Sequence, residues 1–344
     1  MPFSNIDKPS KYFNTVLWTG DNTDNRSITG VGHQPDMVWQ KTRNQGYSHS
    51  IFDNIRGVTK RLVPNDTASE STVTDFKSFN SDGFTIDQDA LQLNATGDTN
   101  VGWSWKANGT GVSNTAGTIS STVSANTTSG FSIVTYTGAG VVASTVGHGL
   151  AVAPKLIIIK SRSNSTNWIL GHNSLGWNKY MALNTTDAVE TNNYFNDTAP
   201  TSSVFSVAFS TNVNGSGYTY VAYCFAEVKG FSKFGSYVGN GSTNGTFVYT
   251  GFTPAFVIFK SSSLGTTNWQ LLDNKRNTFN PQNNHLRPNG SGAEFTNYPV
   301  DFLSNGFKFR NTDGDNNQSG ATYIYMCFAS NPFVSSKGIA VTAR

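Results

Sequence analysis

The segment YTYVAYCFA, Tyr218–Ala226, returns further along the chain as TYIYMCFA, Thr322–Ala329. A cysteine-bearing strand that is written twice indicates that the chain consists of copies of one unit. Cys224 and Cys327 then hold the same position in different units, and we place Trp105 at that position in the first unit. Equivalent positions in separate units lie too far apart for a disulfide. We therefore predict two free cysteines, each serving as a small core residue.

A proline frame marks the units. In each one, a proline opens a mostly apolar run that ends in lysine. Such a run is typical of a central strand that is buried on both faces, with the lysine where the strand surfaces. The three runs are PDMVWQK (Pro35–Lys41), PKLIIIK (Pro154–Lys160) and PAFVIFK (Pro254–Lys260).

The spacing of the frame predicts units at residues 1–108, 131–230 and 231–344. Residues 109–130 are rich in Gly, Ser, Thr and Asn, which is the composition of a flexible linker. Almost nothing separates the second unit from the third. We therefore expect those two units to pack together and the first unit to be more independent.

Short strand-like segments alternate with Gly, Asn, Ser and Asp turns throughout the chain, and no segment has a long helical period. This pattern predicts an all-β protein without substantial helix. The fold class that we expect is a tandem array of β-sandwich units of the jelly-roll or concanavalin-like type.

Charge is scarce in this chain. Lys and Arg number 24 against 21 Asp and Glu, so the net charge is +3, too weak for a nucleic-acid-binding surface. No apolar run is long enough to span a membrane. The first residues do not follow the pattern of a signal peptide, so we expect folding in the cytoplasm. We expect neither nucleic acid nor membrane as a partner.

Two tryptophans are candidates for a binding surface. Trp168 and Trp269 are followed four residues later by His172 and Asp273. Together these four residues could form an aromatic platform for a sugar ring or a protein partner. The alternative is that they are core residues of the fourth strand, because large aromatic side chains usually lie inside. The first unit has His49 in place of the tryptophan.

A weak calcium candidate lies near the end of the chain. Asp313, Asp315 and Asn317 supply suitable oxygen atoms, but their order does not match an EF-hand loop and no glutamate closes it. A polar hairpin turn is the alternative interpretation. The histidines do not recur with metal-ligand spacing, so we expect no cofactor and no other metal.

One glutamate recurs in each unit, at Glu70, Glu190 and Glu294. Glycoside hydrolysis needs two carboxyl groups on opposite sides of a substrate. A single acid at an equivalent place in each unit is more typical of a repeated structural contact. We therefore expect that the protein is not an enzyme.

Several segments resemble a family of three-repeat proteins that phages and prophages encode, especially marine and cyanobacterial ones. Members are described as tail-fibre or virion structural proteins, some with a concanavalin-like lectin label. The resemblance covers most of the chain and implies a virion surface role and a lectin-like β-sandwich, but no catalytic residues. It rests on GVGHQPDMVWQKTR, IFDNIRG, SFNSDGFTI, VGWSWKANG, YVAYCFAEVKGFSKFGSYVGNGS, YTGFTPAFVIFK, DFLSNGF and YIYMCFASNPF.

From these observations we expect a non-catalytic protein of the phage particle surface, a tail-associated knob or fibre component made in the host cytoplasm. Its expected partners are other virion proteins or host surface glycan. A capsid decoration protein that stabilises the shell is the alternative, and a polysaccharide depolymerase is a further one. Phage surface proteins gain avidity by multiplying weak sites, so we expect a homotrimer. Because charge is sparse, its binding should depend little on salt.

Overall fold

A computed structural model describes residues 4–88 and 92–341. The sheets are antiparallel, and the helical structure within those residues is a single 3-10 turn at Pro9–Lys11. The all-β prediction is therefore confirmed. In the described part of the chain, no helix has the length and apolar character needed to cross a membrane. The outer limits of the first and third predicted units, residues 1 and 344, lie outside the described residues.

Repeat one has an inner sheet with the strand order β1-β9-β3-β4 and an outer sheet with the order β2-β8-β7. A short pair, β5 and β6, completes it. The strands are β1 Phe13–Thr19, β2 Arg26–Thr29, β3 Met37–Thr42, β4 Ser50–Asp53, β5 Lys60–Arg61, β6 Ser71–Thr72, β7 Phe76–Asn80, β8 Gly83–Ile86 and β9 Thr99–Trp105.

Repeat two is built on an eight-stranded sheet with the order β10-β11-β12-β19-β14-β15-β16-β17, and β13 pairs with β18 outside it. The strands are β10 Val112–Asn114, β11 Ser121–Asn126, β12 Phe131–Thr137, β13 Ser144–Gly147, β14 Leu156–Ser161, β15 Ile169–His172, β16 Lys179–Ala182, β17 Glu190–Thr191, β18 Val204–Val207 and β19 Thr219–Phe225.

Repeat three has an inner sheet with the order β20-β27-β22-β23 and an outer sheet with the order β21-β26-β25-β24. The strands are β20 Ser232–Val238, β21 Phe247–Tyr249, β22 Phe252–Ser261, β23 Gln270–Asp273, β24 Gln282–His285, β25 Phe295–Leu303, β26 Gly306–Phe309 and β27 Thr322–Pro332.

The apolar run of the proline frame is buried on both faces, as predicted. Successive side chains of a strand point to opposite faces. Met37 and Trp39 therefore enter a central core that all three repeats share, whereas Val38 enters a separate core between the two sheets of repeat one. Ile158 and Ile258 correspond to Trp39 and lie in the same central core.

Three equivalent aromatic rings meet at the centre of the molecule. Trp105, Phe225 and Phe328 come from repeats one, two and three, respectively. Their ring centroids are 6.4 Å apart for Trp105 and Phe225, 6.0 Å for Phe225 and Phe328, and 5.8 Å for Trp105 and Phe328. The repeats therefore surround one core with approximate threefold symmetry. The expectation that the first unit is more independent is wrong.

Residues 109–130 are part of a sheet, and the prediction of a flexible linker is corrected here. β11 pairs along its whole length with β12 of repeat two, and β10 pairs with β11. Ile119 and Val123 are buried in a second core, which belongs to repeat two alone and is separate from the central core. Thr and Ser fit a strand whose other face is exposed, so the polar composition is compatible with this edge extension.

The register of the inner sheets also corrects one equivalence. Cys224 and Cys327 each pair with the middle of the apolar run, and Ser104 pairs with Val38 at that point in repeat one. Trp105 matches the cysteines only when the units are aligned on the alanine that closes each of these segments, Ala107, Ala226 and Ala329. Repeat one reaches its alanine one residue later, so the assignment of Trp105 is wrong by one position.

Both cysteines are free and fully buried. Burial raises the pKa of the Cys224 and Cys327 thiols above the ordinary range, which suppresses the reactive thiolate. We expect iodoacetamide to label neither thiol in the folded protein and both after denaturation without reductant, as read by intact mass. A denatured protein that takes up fewer than two labels would contradict the free-cysteine assignment.

Candidate functional site

The two candidate tryptophans connect neighbouring repeats. Trp168 of repeat two donates its indole N–H to the carbonyl of Val63 in repeat one, at 2.9 Å. Trp269 of repeat three donates to the carbonyl of Ala182 in repeat two, at 3.0 Å. His49 holds the equivalent place in repeat one, and its Nε2 lies 3.1 Å from a carbonyl of repeat three. These contacts run in one direction around the molecule and close a ring.

A second ring of contacts involves Asp53, His172 and Asp273, the last residues of the equivalent strands β4, β15 and β23. The hydroxyl of Tyr223 in repeat two donates to Asp53 of repeat one at 2.7 Å. The indole N–H of Trp103 in repeat one donates to Asp273 of repeat three at 3.0 Å. His172 of repeat two completes the ring, with its Nε2 3.3 Å from a carbonyl of repeat three. Each repeat is thus hydrogen-bonded to both of its neighbours.

Trp168, His172, Trp269 and Asp273 are therefore interior residues, each with at most 2% of its surface exposed. A sugar or protein cannot reach them from outside, and the aromatic-platform prediction is corrected. Their place is the core of the fourth strand, the alternative considered for the same sequence pattern. Burial is favourable because each ring N–H finds a carbonyl or carboxylate partner in the next repeat.

A carboxylate between two arginines holds the junction of repeats one and two. Glu70 binds the Arg162 guanidinium of repeat two through two hydrogen bonds of 2.9 Å, and it binds Arg56 of its own repeat at 3.0 Å. Arg56 also pairs with Asp53, and both of these side chains are fully buried. Burial by itself would raise the pKa of Glu70, but the two guanidiniums outweigh it and hold the pKa below its usual value.

The same arrangement recurs where repeat three meets repeat one. Glu294 accepts from Arg276 of its own repeat at 2.8 Å and from Arg43 of repeat one at 2.8 and 3.0 Å. In repeat two, Glu190 instead accepts the hydroxyl of Tyr180. Glu70 and Glu294 therefore make equivalent structural contacts, and the backbone N–H of each also donates to the carbonyl of the arginine in the neighbouring repeat. The equivalence of Glu190 is wrong by one position, because Val189 holds that place in repeat two.

The junction of repeats two and three is an uncharged version of the other two. Leu175 stands where repeats one and three have Arg56 and Arg276, and Ser262 stands where the neighbouring repeat has an arginine. The backbone contact is kept, since the N–H of Val189 donates to the carbonyl of Ser262 at 2.9 Å. The buried charges are therefore not required by the backbone geometry of the ring.

The lysine that ends each apolar run does not surface. Lys41, Lys160 and Lys260 are fully buried, contrary to expectation. The ammonium of Lys160 donates to the carbonyls of Thr67 and Thr166 at 2.8 Å, the first of which belongs to repeat one. Burial lowers the pKa of all three lysines to about 8. Because an ammonium has three donors, it can hold several loop carbonyls at the end of a strand.

The calcium candidates form a polar turn. Asp315 accepts the backbone N–H of Asn268 and the side-chain amide of Gln270, both at 2.8 Å. Asp313 accepts the backbone N–H of Asp315 at 2.8 Å, and the amide nitrogen of Asn317 donates to three oxygen atoms. Within the described residues, no group of three or more His, Cys, Asp or Glu is arranged to hold a metal.

A surface cleft of about 500 Å³ opens where the start of repeat one meets repeat three. Half of the residues that line it are asparagine, threonine or serine, including Asn14, Asn274, Thr278 and Asn331. Phe279 lies at the cleft with 83% of its surface exposed. None of these five residues is a binding candidate from the sequence pattern alone.

Repeat three lacks a carboxylate that repeat one has at the place of Ala255, a residue that lines the cleft. In repeat one, Asp36 follows the frame proline, and it accepts two backbone N–H groups and the side-chain amide of Asn54. Repeat three has Ala255 in place of the aspartate and Asn274 in place of Asn54. The side chain of Asn274 has no partner among the described residues. The exchange of Asp for Ala is visible in the sequence, but the hydrogen bonds that are lost with the carboxylate can be identified only from the structure.

Comparison with known proteins gives a family and no individual relative. No curated protein and no solved structure matches the chain. A family model described as a domain of unknown function (DUF7483) matches residues 8–332, which is nearly the whole chain. The chain therefore belongs to the DUF7483 family.

Proposed function

We propose that this protein is a non-catalytic structural protein of the phage particle surface. It acts as a rigid, tail-associated knob or fibre component that contacts host surface glycan or another virion protein. A homotrimer is the oligomeric state that we propose for it. The resemblance of the repeats to phage-encoded virion proteins supports the location, and the all-β fold is compatible with it.

The observation that carries the proposal is the closed ring of cross-repeat hydrogen bonds. Three repeats share one core and hold one another at every junction, so loops on the outside are supported by a rigid interior. Loops on such a scaffold are the usual place for recognition residues. A rigid module with sparse charge suits contact with neutral partners, in which hydrogen bonds and shape matter more than long-range attraction.

The chemically versatile groups of the described chain are engaged in structure. Both cysteines lie in the core, and Glu70 and Glu294 are each held by two arginines. The two guanidiniums beside Glu70 hold the pKa of its carboxyl below the usual value, which makes it a poor general acid. These assignments support a non-catalytic role.

The proposal is tested on phage particles that carry the gene. We expect mass spectrometry of gradient-purified particles to detect the protein, and gold-labelled antibodies to mark the tail. Labelling of the shell would favour the capsid decoration role instead. Absence from purified particles, with the protein present in the lysate, would overturn the virion assignment, and release of sugars from host polysaccharide would overturn the non-catalytic one.

A further inference from the structure

We propose that the cleft between repeats one and three binds a neutral saccharide, with Phe279 stacked on one face of a sugar ring. This inference rests on the proposed function in naming glycan as the partner, and it assigns the site. The occupant is a segment of a surface polysaccharide whose hydroxyl groups contact the asparagine and threonine side chains of the cleft.

The exposure of Phe279 is the first argument. Its ring is 83% exposed, although the protein buries most of its large aromatic side chains in four cores. Leaving a phenyl ring in water forgoes the favourable burial of its apolar surface. One face of a pyranose ring is lined by C–H groups and would cover the phenyl ring. A ligand bound in the cleft could therefore cover the ring of Phe279, which the fold leaves exposed to solvent.

The second argument is the unused hydrogen-bonding capacity beside that ring. Within the described part of the chain, the side chains of Asn274, Thr278 and Asn331 have no hydrogen-bond partner, and Lys275 has neither a hydrogen-bond nor an ion-pair partner for its ammonium. All four line the cleft. Amides and hydroxyls both donate and accept, which matches the donor and acceptor pattern of sugar hydroxyls.

Size and charge narrow the class of ligand. A volume of about 500 Å³ lies within the range of pockets that take small ligands. Among the described residues, Lys275 is the one charged side chain that lines the cleft, and the rest of the lining is a mixture of neutral polar and apolar groups. An anionic ligand such as a phosphate or a uronic acid would find a single cation there. A neutral saccharide instead uses the lysine as a further donor to a hydroxyl.

The experiment uses the full chain and a panel of neutral oligosaccharides in the gluco, galacto and manno series, together with uronic acid oligomers. We expect binding of at least one neutral member in an array and in calorimetry, changing little between low and physiological salt. Phe279→Ala and Asn274→Ala should each weaken that binding about tenfold. Their thermal midpoints should stay unchanged, because Phe279 is exposed and Asn274 has no partner to lose.

Phe209→Ala is the matched control, since Phe209 is 65% exposed and does not line the cleft, and it should bind as the parent does. Equal affinity of Phe279→Ala and the parent would overturn the site while leaving a glycan partner in place. Failure of every neutral oligosaccharide, or binding of uronic acids alone, would overturn the ligand class. None of these results bears on whether the protein is found in the particle, which the labelling of particles decides separately.

Discussion

Acidification from about pH 8 to about pH 5 should lower the free energy of unfolding by several kcal/mol. The cause is a set of buried histidines that the fold holds in the neutral form. Burial lowers the pKa of His49 to about 3 and that of His172 to about 4, against an ordinary value near 6.5. His148 is also buried, and its pKa is lowered for the same reason.

The hydrogen bonds of these rings specify a neutral imidazole. Nδ1 of His49 accepts the indole N–H of Trp39 at 2.9 Å, and Nδ1 of His172 accepts the backbone N–H of Ser174 at 3.0 Å. In both rings the other nitrogen faces a carbonyl of a neighbouring repeat. A proton added at Nδ1 would meet another N–H group and remove that hydrogen bond.

The direction of the effect follows from the two states. The unfolded chain takes up protons at His49 and His172 as the pH falls through about 6.5, whereas the folded chain does not protonate them until the pH nears 3 to 4. The contribution of His49 and His172 to the free energy of unfolding is therefore fully present above about pH 6.5 and is lost as the pH falls below that value. At about pH 5, each of His49 and His172 should cost about 2 kcal/mol, because one unit of pKa difference corresponds to about 1.4 kcal/mol.

Urea unfolding at a series of pH values measures this loss. His49→Gln is the informative variant, since a glutamine can accept from Trp39 and donate to the carbonyl of repeat three without titrating. It should be less stable than the parent at pH 8, and its loss between pH 8 and pH 5 should be smaller by about 2 kcal/mol. A parent protein whose unfolding free energy is the same at both pH values would refute the neutral-histidine assignment.

Removal of a single buried carboxylate should have an effect of similar size. Asp53→Ala leaves the guanidinium of Arg56 buried without its closest partner and deprives Tyr223 of its acceptor across the repeat boundary. Breaking a buried ion pair by deleting one member typically costs about 3–5 kcal/mol. We expect a loss of that size in chemical unfolding at pH 8.

The chain itself suggests the matched control, because Leu175 stands in repeat two where repeat one has Arg56. The double variant Asp53→Asn/Arg56→Leu keeps an acceptor for Tyr223 and removes both charges. It should recover most of the stability lost in Asp53→Ala, since uncharged replacements of a buried pair are often neutral. Asp21→Ala, which breaks an exposed pair with Arg26, should be indistinguishable from the parent. A double variant as unstable as Asp53→Ala would show that packing, and not the unpaired charge, sets the cost.

The repeated unit, the all-β class and the inner strand of each repeat follow from the amino-acid sequence alone. The free state of Cys224 and Cys327 follows from it as well. These properties follow from local patterns. A proline-led apolar run specifies a strand buried on two faces wherever it occurs. Two copies of one strand predict two unpaired cysteines, and the structure supplies the reason: Cys224 and Cys327 lie in separate cores, whereas the neighbouring Phe225 and Phe328 meet in the shared one. The alternation of side chains along a strand is likewise a property of the backbone and needs no knowledge of neighbours.

The contacts between repeats, in contrast, depend on the three-dimensional packing of the whole chain. Trp168, Asp273 and Lys160 each carry a polar group that could have faced solvent, yet all three side chains are buried. Burial is possible because the polar group of each has a hydrogen-bond partner in another repeat, close in space and distant in sequence. Residues 109–130 have the composition of a linker and become strands because β12 offers an edge. A buried polar group is stable only when its partner is in place, and the position of that partner depends on how all three repeats pack.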